Sequence, residues 1–403
     1  MNPDTNLNFN NGYYKVGDQI FLEKIEAIYA ASQSKKQLTW HFHERVFKTI
    51  DWKTEPQETL NDLYKNRAQQ LRNKYDYIVL FYSGGADSTN MVYSFLKNGI
   101  HVDEIVAGAP LSGLRDWQDQ NSTTAENTIS ETRLVQIPGL KKISEEYPTV
   151  KITIHDYFQD MLEYQTDEWL WRSGGYIHPT FAARYRLERD EYNHLKKILD
   201  SGKTIGFIYG LDKPLITEHN EEYYIMFRDT LVNNAFQALV HPLSNPELFY
   251  YNAEVPSLLI KQAHVTARYI SVPQNKFVYD HMLYNTKNKH LGNAWRFDVD
   301  PNYHTGIYER AIVPAIYPML DNMVFQANKP RNAFFAEHDH WFEKLHRGTR
   351  TWELMKSDFE LFINGVDTSL LNIDQKTTKA VGFKEFRSWY NIGPVSKFKP
   401  TPL

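Results

Sequence analysis

The feature that most constrains this chain is the continuous apolar run Tyr77-Ile78-Val79-Leu80-Phe81-Tyr82, which ends directly in Ser83-Gly84-Gly85-Ala86-Asp87-Ser88. Such a β-favouring run suits a strand buried on both faces, as in a parallel sheet. Behind the Gly-Gly turn, residues 89–97 carry Met91, Val92, Phe95 and Leu96 as an apolar helical stripe, stopped by Asn98-Gly99. Further strands are predicted over 102–107, 150–154 and 204–209. Strand, helix and strand in repeated order predict an α/β fold with a doubly wound, mostly parallel sheet.

A Gly-Gly turn here, between a buried strand and a helix, has the physical make-up of a phosphate site; the alternative is a turn capped by serines at an ordinary strand–helix junction. Glycines let the backbone turn tightly and approach an anion with no Cβ in the way. The first amides of the helix lack intrahelical partners, and the helix dipole adds partial positive charge there. Ser83 and Ser88 add hydroxyl donors. Asp87 suits a phosphate cradle only through a bridging Mg²⁺ ion, or as a cap of its own loop. The loop is not a Walker A element, which ends in Lys-Ser/Thr, and it lacks the third glycine of the dinucleotide fingerprint.

A length of 403 residues exceeds what one hydrophobic core usually serves. We expect an N-terminal extension over about 1–75, a nucleotide domain over about 76–275 and a C-terminal region over about 276–403. The extension reads as a small α/β layer: a hairpin around Val16-Gly17-Asp18, a helix marked by Phe21, Ile25, Ile28 and Tyr29, and a short strand at 38–42. Beyond 275, helical patterns near 307–319 and 334–345 predict a mostly helical region, and the tail from 397 is expected to be loose. The net charge of −4 gives no electrostatic case for broad nucleic-acid or membrane binding. The absence of cysteine excludes disulfides, thiolate metal sites and cysteine nucleophiles from this chain. Met1-Asn2-Pro3-Asp4 lacks a signal-peptide pattern and no apolar run approaches spanning length, so a cytoplasmic protein without membrane contact is expected.

Ser83-Gly84-Gly85-Ala86-Asp87-Ser88 resembles the PP-loop of the N-type ATP pyrophosphatases, whose signature is Ser-Gly-Gly-x-Asp-Ser after the first strand. The resemblance covers roughly residues 76–270, and it implies the adenine nucleotide alpha hydrolase-like fold. It implies ATP and Mg²⁺ as cofactors, with Asp87 on the metal. A substrate oxygen attacks the α-phosphorus, and pyrophosphate leaves into the loop. Gly210-Leu211-Asp212-Lys213-Pro214, after the strand at 204–209, is similar to the Gly-x-Asp element of asparagine synthetases, without their preceding Ser-Gly-Glu. On that likeness Asp212 would hold Mg²⁺ and Lys213 would contact phosphate; the alternative is a plain Gly-Leu-Asp turn. The fold also implies Gly108 and Ala109, and His155 and Asp156, near adenine and ribose, with Asp156 equally a helix cap. The whole chain resembles asparagine-synthase-like proteins of large tailed bacteriophages, on 249–252 and 261–264.

Missing cysteines exclude the glutaminase and zinc-cysteine branches of such enzymes, and the sulfur-inserting and sulfonucleotide-reducing chemistries would need a partner protein. What the resemblance leaves is an AMP-forming C–N ligase, adenylating a carboxylate or carbonyl oxygen for attack by ammonia or an amine. The acceptor would be a small molecule or a base in nucleic acid, and whether copies associate as a homo-oligomer stays open. The alternative is an ATP-binding regulatory or accessory module. Lys261, His264 and Arg268 share one face of a helix over 256–269, expected to wall the cleft for phosphate; a solvated stripe is the other reading. Arg172, Arg184, Arg186 and Arg189 read as a charged helix surface or a substrate loop. His41-Phe42-His43 and His338-Asp339-His340 lack a third ligand at a recognisable spacing.

Overall fold

A computed structural model describes residues 12–22, 24–109, 111, 135–156, 190–210, 215–229, 244–275, 315–318, 320 and 386–400. The expected hairpin is β1 (Tyr13–Val16) and β2 (Gln19–Phe21), and β3 (Leu38–His41) flanks β1 on its other side. Between them runs α1 (Lys24–Ser34). Its packed face is Ala27 and Ala31, while Tyr29 is 57% exposed, so the small residues rather than the aromatic one meet the core. A short α2 (Glu44–Phe47) closes this layer.

Next comes α3 (Leu60–Lys74), opened by a reciprocal capping box between Thr59 and Asp62. The main sheet then unfolds in order: β4 (Tyr77–Phe81), α4 (Ala86–Leu96), β5 (Glu104–Ala109), α5 (Ile137–Glu146), β6 (Lys151–Asp156), α6 (Asn193–Asp200) and β7 (Ile205–Tyr209). A hairpin of β8 (Leu215–His219) and β9 (Glu222–Arg228) follows, then β10 (Ser244–Leu248) and α7 (Pro256–Ser271). The chain is thus α/β, with a five-stranded sheet in the order β10-β7-β4-β5-β6. Every neighbouring pair in that sheet is parallel. Apolar runs explain the centre: β7 is buried throughout, and α4 is buried all round from Ser88 to Leu96. Strand β10 went unpredicted because it reads Ser-Asn-Pro-Glu-Leu, and a proline is tolerated there only because β10 is the edge.

Beyond the main sheet, β11 (Arg387–Pro394) returns to pair antiparallel with β9, and α8 (Val395–Phe398) ends the described chain. The β8–β9 turn places Asn220 and Glu221 at φ 51° and 60°, the conformation that matches strand twist in a two-residue hairpin. The C-terminal region therefore contributes a strand. The helices expected over 307–319 and 334–345 fall almost wholly outside the described residues, where only 315 and 316 are helical. The tail is anchored at Phe398, which is buried, and at Lys397, which donates to the Lys53 carbonyl. The N-terminal layer packs on this third sheet through Phe47 stacked on Phe227 (5.1 Å) and Trp52 stacked on Tyr390 (5.0 Å). Tyr14 adds a buried hydrogen bond to Asp229 (2.8 Å). Among the described residues no helix is long and apolar enough to cross a membrane.

One buried charge locks α3 to the sheet edge. Arg67 is fully buried; its Nη2 donates to Glu247 Oε2 (2.9 Å) and Leu248 O (2.9 Å), and its Nε to Phe249 O (3.1 Å). Its Nη1 donates to Gln70 (2.8 Å) and Glu254 (3.3 Å). Glu247, equally buried, also accepts from Lys74 and the Tyr75 hydroxyl. Removing Arg67 would leave the buried Glu247 charge compensated by Lys74 alone. We predict that Arg67→Met costs about 3–5 kcal/mol in urea unfolding, and that adding Glu247→Leu recovers a substantial part of it.

Candidate functional site

The loop after β4 is built by glycine geometry. Gly84 adopts φ +80°, and a Cβ there would lie 2.8 Å from both the amide nitrogen and Cα of Gln136. Either fact alone demands glycine. Gly85 then takes the N-cap position of α4 in extended conformation, with no side chain capping the helix. The serines shape the loop from inside. Ser88 Oγ accepts from the Ser83 amide (3.2 Å) and donates to Gly85 O (3.1 Å), and it lies 3.0 Å from Ser83 Oγ. Ser83 Oγ in turn accepts from the Gly85 amide (3.2 Å).

This differs from the expected cup in one respect. The Gly85 amide and the Ser88 hydroxyl serve the loop's own shape, so the donors left for a ligand are fewer. Among the described residues, the amides of Gly84 and Ala86 have no hydrogen-bond partner. Both residues are buried. A buried amide without a partner costs about 1–3 kcal/mol, so such donors ordinarily serve water or a ligand.

The sheet puts this loop in a particular place. From β4 the chain runs outward through β5 and β6, then returns to the other side of β4 as β7 and β10. Strand order therefore reverses between β4 and β7, and open α/β sheets bind ligands outside the carboxyl ends at that point. The end of β7 presses on the loop helix: a Cβ on Gly210 would lie 2.9 Å from Asp87 O and 2.9 Å from Ser88 Cα. Asp212 and Lys213 follow directly but lie outside the described residues.

Asp87 is gripped from below by tyrosines. The Tyr317 hydroxyl donates to Asp87 Oδ1, and the Tyr250 hydroxyl donates to Asp87 O (2.8 Å). Asn90 Nδ2 donates to the Tyr250 oxygen (3.0 Å). Tyr64 of α3 completes the cluster, accepting from Gln262 (2.9 Å) and donating to the Ile316 carbonyl. Ring centroids of Tyr64, Tyr250 and Tyr317 lie 5.7–6.2 Å apart. Burial raises all three phenols well above their ordinary range, and the Asp87 charge adds to it. They remain protonated donors.

Gln136 bridges two strand ends, donating from Nε2 to Tyr82 O (3.0 Å) and Gly108 O (3.2 Å). The Gly108 carbonyl, expected near adenine, is thus engaged by a residue that sequence reading passed over. Asp156 is the last residue of β6, in register with Ala109. Lys261 is placed elsewhere than expected: it donates to Pro56 O (2.9 Å) and pairs with Glu55 (2.9 Å). Arg268 chelates the same Glu55, and His264 Nε2 lies 2.9 Å from Trp52 O. The three basic residues do share a face of α7, but that face docks on the 52–56 segment, not on the loop. Spacing fixed the face; nothing in it named the carboxylate opposite.

Among the described residues no three His, Asp or Glu side chains converge on a metal position. His41 meets Thr39 and Glu44, while His338-Asp339-His340 and the arginines of 172–189 lie outside the described residues. Mg²⁺ needs no protein cage when phosphates supply ligands, since one or two carboxylates then suffice. Asp87 fits that donor set. Comparison with known protein families, with curated proteins and with solved structures finds no match to the chain.

The Glu55 contact gives a pH signature. Burial alone would raise this carboxyl, but hydrogen bonds and charge from Arg268 and Lys261 override it and hold it at about 2, against an ordinary 4.5. A depressed folded-state pKa means the contribution is complete above about pH 4.5 and is lost as pH falls through about 2. We expect urea midpoints of the wild type to fall across that window, and those of Glu55→Gln to be lower at neutral pH and flatter through it.

Proposed function

We propose that this chain is an ATP-dependent, AMP- and pyrophosphate-forming C–N ligase of the N-type ATP pyrophosphatase kind. Its sheet would then be the doubly wound, adenine nucleotide alpha hydrolase-like one. One observation carries the reading: the amides of the buried residues Gly84 and Ala86, without a partner among the described residues, stand at the strand-order reversal, in a loop that keeps every fixed residue of the Ser-Gly-Gly-x-Asp-Ser signature.

In this reading the loop takes the β- and γ-phosphates of ATP. A carboxylate or carbonyl oxygen of the acceptor forms a bond to the α-phosphorus, and the bond from that phosphorus to the β-phosphate oxygen breaks. Charge grows on departing pyrophosphate, and fixed amide dipoles that stabilise developing charge lower a barrier most effectively. Ammonia or an amine then attacks the activated carbon, AMP leaves with the oxygen, and the nitrogen loses a proton. Mg²⁺, when bound, would neutralise phosphate charge, with Asp87 and Asp212 as the carboxylates to hold it; Lys213 would meet phosphate. With no cysteine in the chain, no step uses a thiol.

The test is release of AMP from ATP labelled at the α-phosphate, with Mg²⁺, ammonia and a panel of acceptors. Acceptor-dependent AMP and pyrophosphate are expected. Asp87→Ala should lower turnover about a hundredfold or more, the scale for losing one charge-stabilising group. Unchanged AMP release by that variant would overturn the reading, and tight ATP binding without turnover on any acceptor would favour a regulatory or accessory module instead. Gly84→Ala should abolish ATP binding, since its Cβ would strike the Gln136 backbone.

A further inference from the structure

An aspartate in the second position of a helix is a hazard to an anion site. Gly85 caps α4, so Ala86 and Asp87 are its first two residues. A carboxylate there is attracted to the same amides and the same dipole that would receive a phosphate. Left to rotate, the Asp87 side chain would fold back on the loop and occupy its own cup. Yet the amides of Gly84 and Ala86 have no partner among the described residues, so in this fold the carboxylate does not take them.

The tyrosine cluster supplies a reason. Tyr317 comes from a segment 230 residues further along the chain and is fully buried against Tyr250 and Tyr64. Its hydroxyl donates to Asp87 Oδ1. Its own backbone is tethered, because the preceding carbonyl of Ile316 accepts from Tyr64, which is itself held by Gln262 of α7. Tyr250 fixes the backbone half of the same residue through Asp87 O. Main chain and side chain of Asp87 are therefore pinned separately, by phenols from two different parts of the sequence.

We propose that Tyr317 is a positioning residue that draws the Asp87 carboxylate to the tyrosine side of the first helical turn and keeps it off the Gly84 and Ala86 amides. The role rests on the reading of this loop as an anion site. It makes the C-terminal region part of the loop's function: without the 315–318 segment, the loop would be intact in sequence but self-blocked.

Metal-free calorimetry with pyrophosphate as the probe, in EDTA, tests this on the full chain. Wild type is expected to bind, and Tyr317→Phe to bind about tenfold more weakly, the scale of one hydrogen bond's worth of competition. Adding Asp87→Ala to Tyr317→Phe should restore affinity to within about threefold of Asp87→Ala alone, as for sites that have become independent. Rescue is the decisive readout, because a merely structural loss at Tyr317 would not be repaired by deleting a second side chain. Weakening without rescue, or no weakening, overturns the role of Tyr317 and leaves the ligase reading standing. Absence of pyrophosphate binding by wild type, with Mg²⁺ as well as without, overturns both. Asp87→Ala alone also removes a negative charge beside the anion and so tightens metal-free binding by itself. The tightening it brings should be about tenfold larger in the Tyr317→Phe background than in wild type, and equal tightening in the two backgrounds overturns the role of Tyr317.

Discussion

The close approach of two backbones at the carboxyl end of β4 is the constraint on which the rest of this molecule depends. Gly84 and Gly210 stand on either side of the first turn of α4, each at a distance where a Cβ would collide with main chain. One meets Gln136, which itself ties the ends of β4 and β5 together. The other meets the carbonyl of Asp87 and the Cα of Ser88. The turn is thereby clamped between the start of α5 and the end of β7, and the amides that have no partner among the described residues are held in place before any ligand arrives. Preorganised dipoles need no rearrangement as charge develops, and this is the source of their strength.

A clamp of this kind works only if the sheet beneath it keeps its register, and here a buried charge network does that work at the edge. Strand β10 has little strand propensity of its own, with asparagine, proline and glutamate among its residues. Arg67 compensates by satisfying Glu247 and two backbone carbonyls beyond it, while Lys74 and Tyr75 take the other carboxylate oxygen. Buried ion pairs are weak evidence of net stability, since desolvation offsets much of their attraction. Their geometric demand is nonetheless strict. With five donors directed at side chains and carbonyls from 70, 247, 248, 249 and 254, α3 tolerates little sliding against the edge strand.

How much of this the sequence discloses depends on the range of the interaction. Local signals were readable: the apolar run of β4, the glycine turn, the apolar stripe of α4 and the hairpin around Gly17 all appear where periodicity and turn chemistry place them. Long-range partners were not. Nothing near Tyr317 announces that its hydroxyl meets Asp87, and nothing near Glu55 announces that it faces Lys261 and Arg268. The helix over 256–271 shows the general case. Spacing of i, i+3 and i+7 assigns three basic residues to one face, but the identity of what that face meets is a tertiary fact. Gln136 was missed for a related reason, because a glutamine at a helix start carries no distinctive pattern, and its role appears only when two strand ends are seen beside it.

The choice of tyrosines beneath the loop follows from what the site must avoid. A lysine or arginine against Asp87 would hold the carboxylate more strongly, but it would neutralise the charge that a cation on the phosphates would need. A serine or threonine could donate, but neither reaches across a packed core or excludes water from the underside of the turn. A phenol does both: it fills volume as an aromatic, and it donates one hydrogen bond without bringing charge. Burial keeps Tyr64, Tyr250 and Tyr317 protonated, so their donation does not vary across ordinary pH. Three rings from α3, from the segment after β10 and from the C-terminal region converge there. The loop therefore takes its shape from glycines and serines within it, and the direction of its one carboxylate from residues remote in sequence.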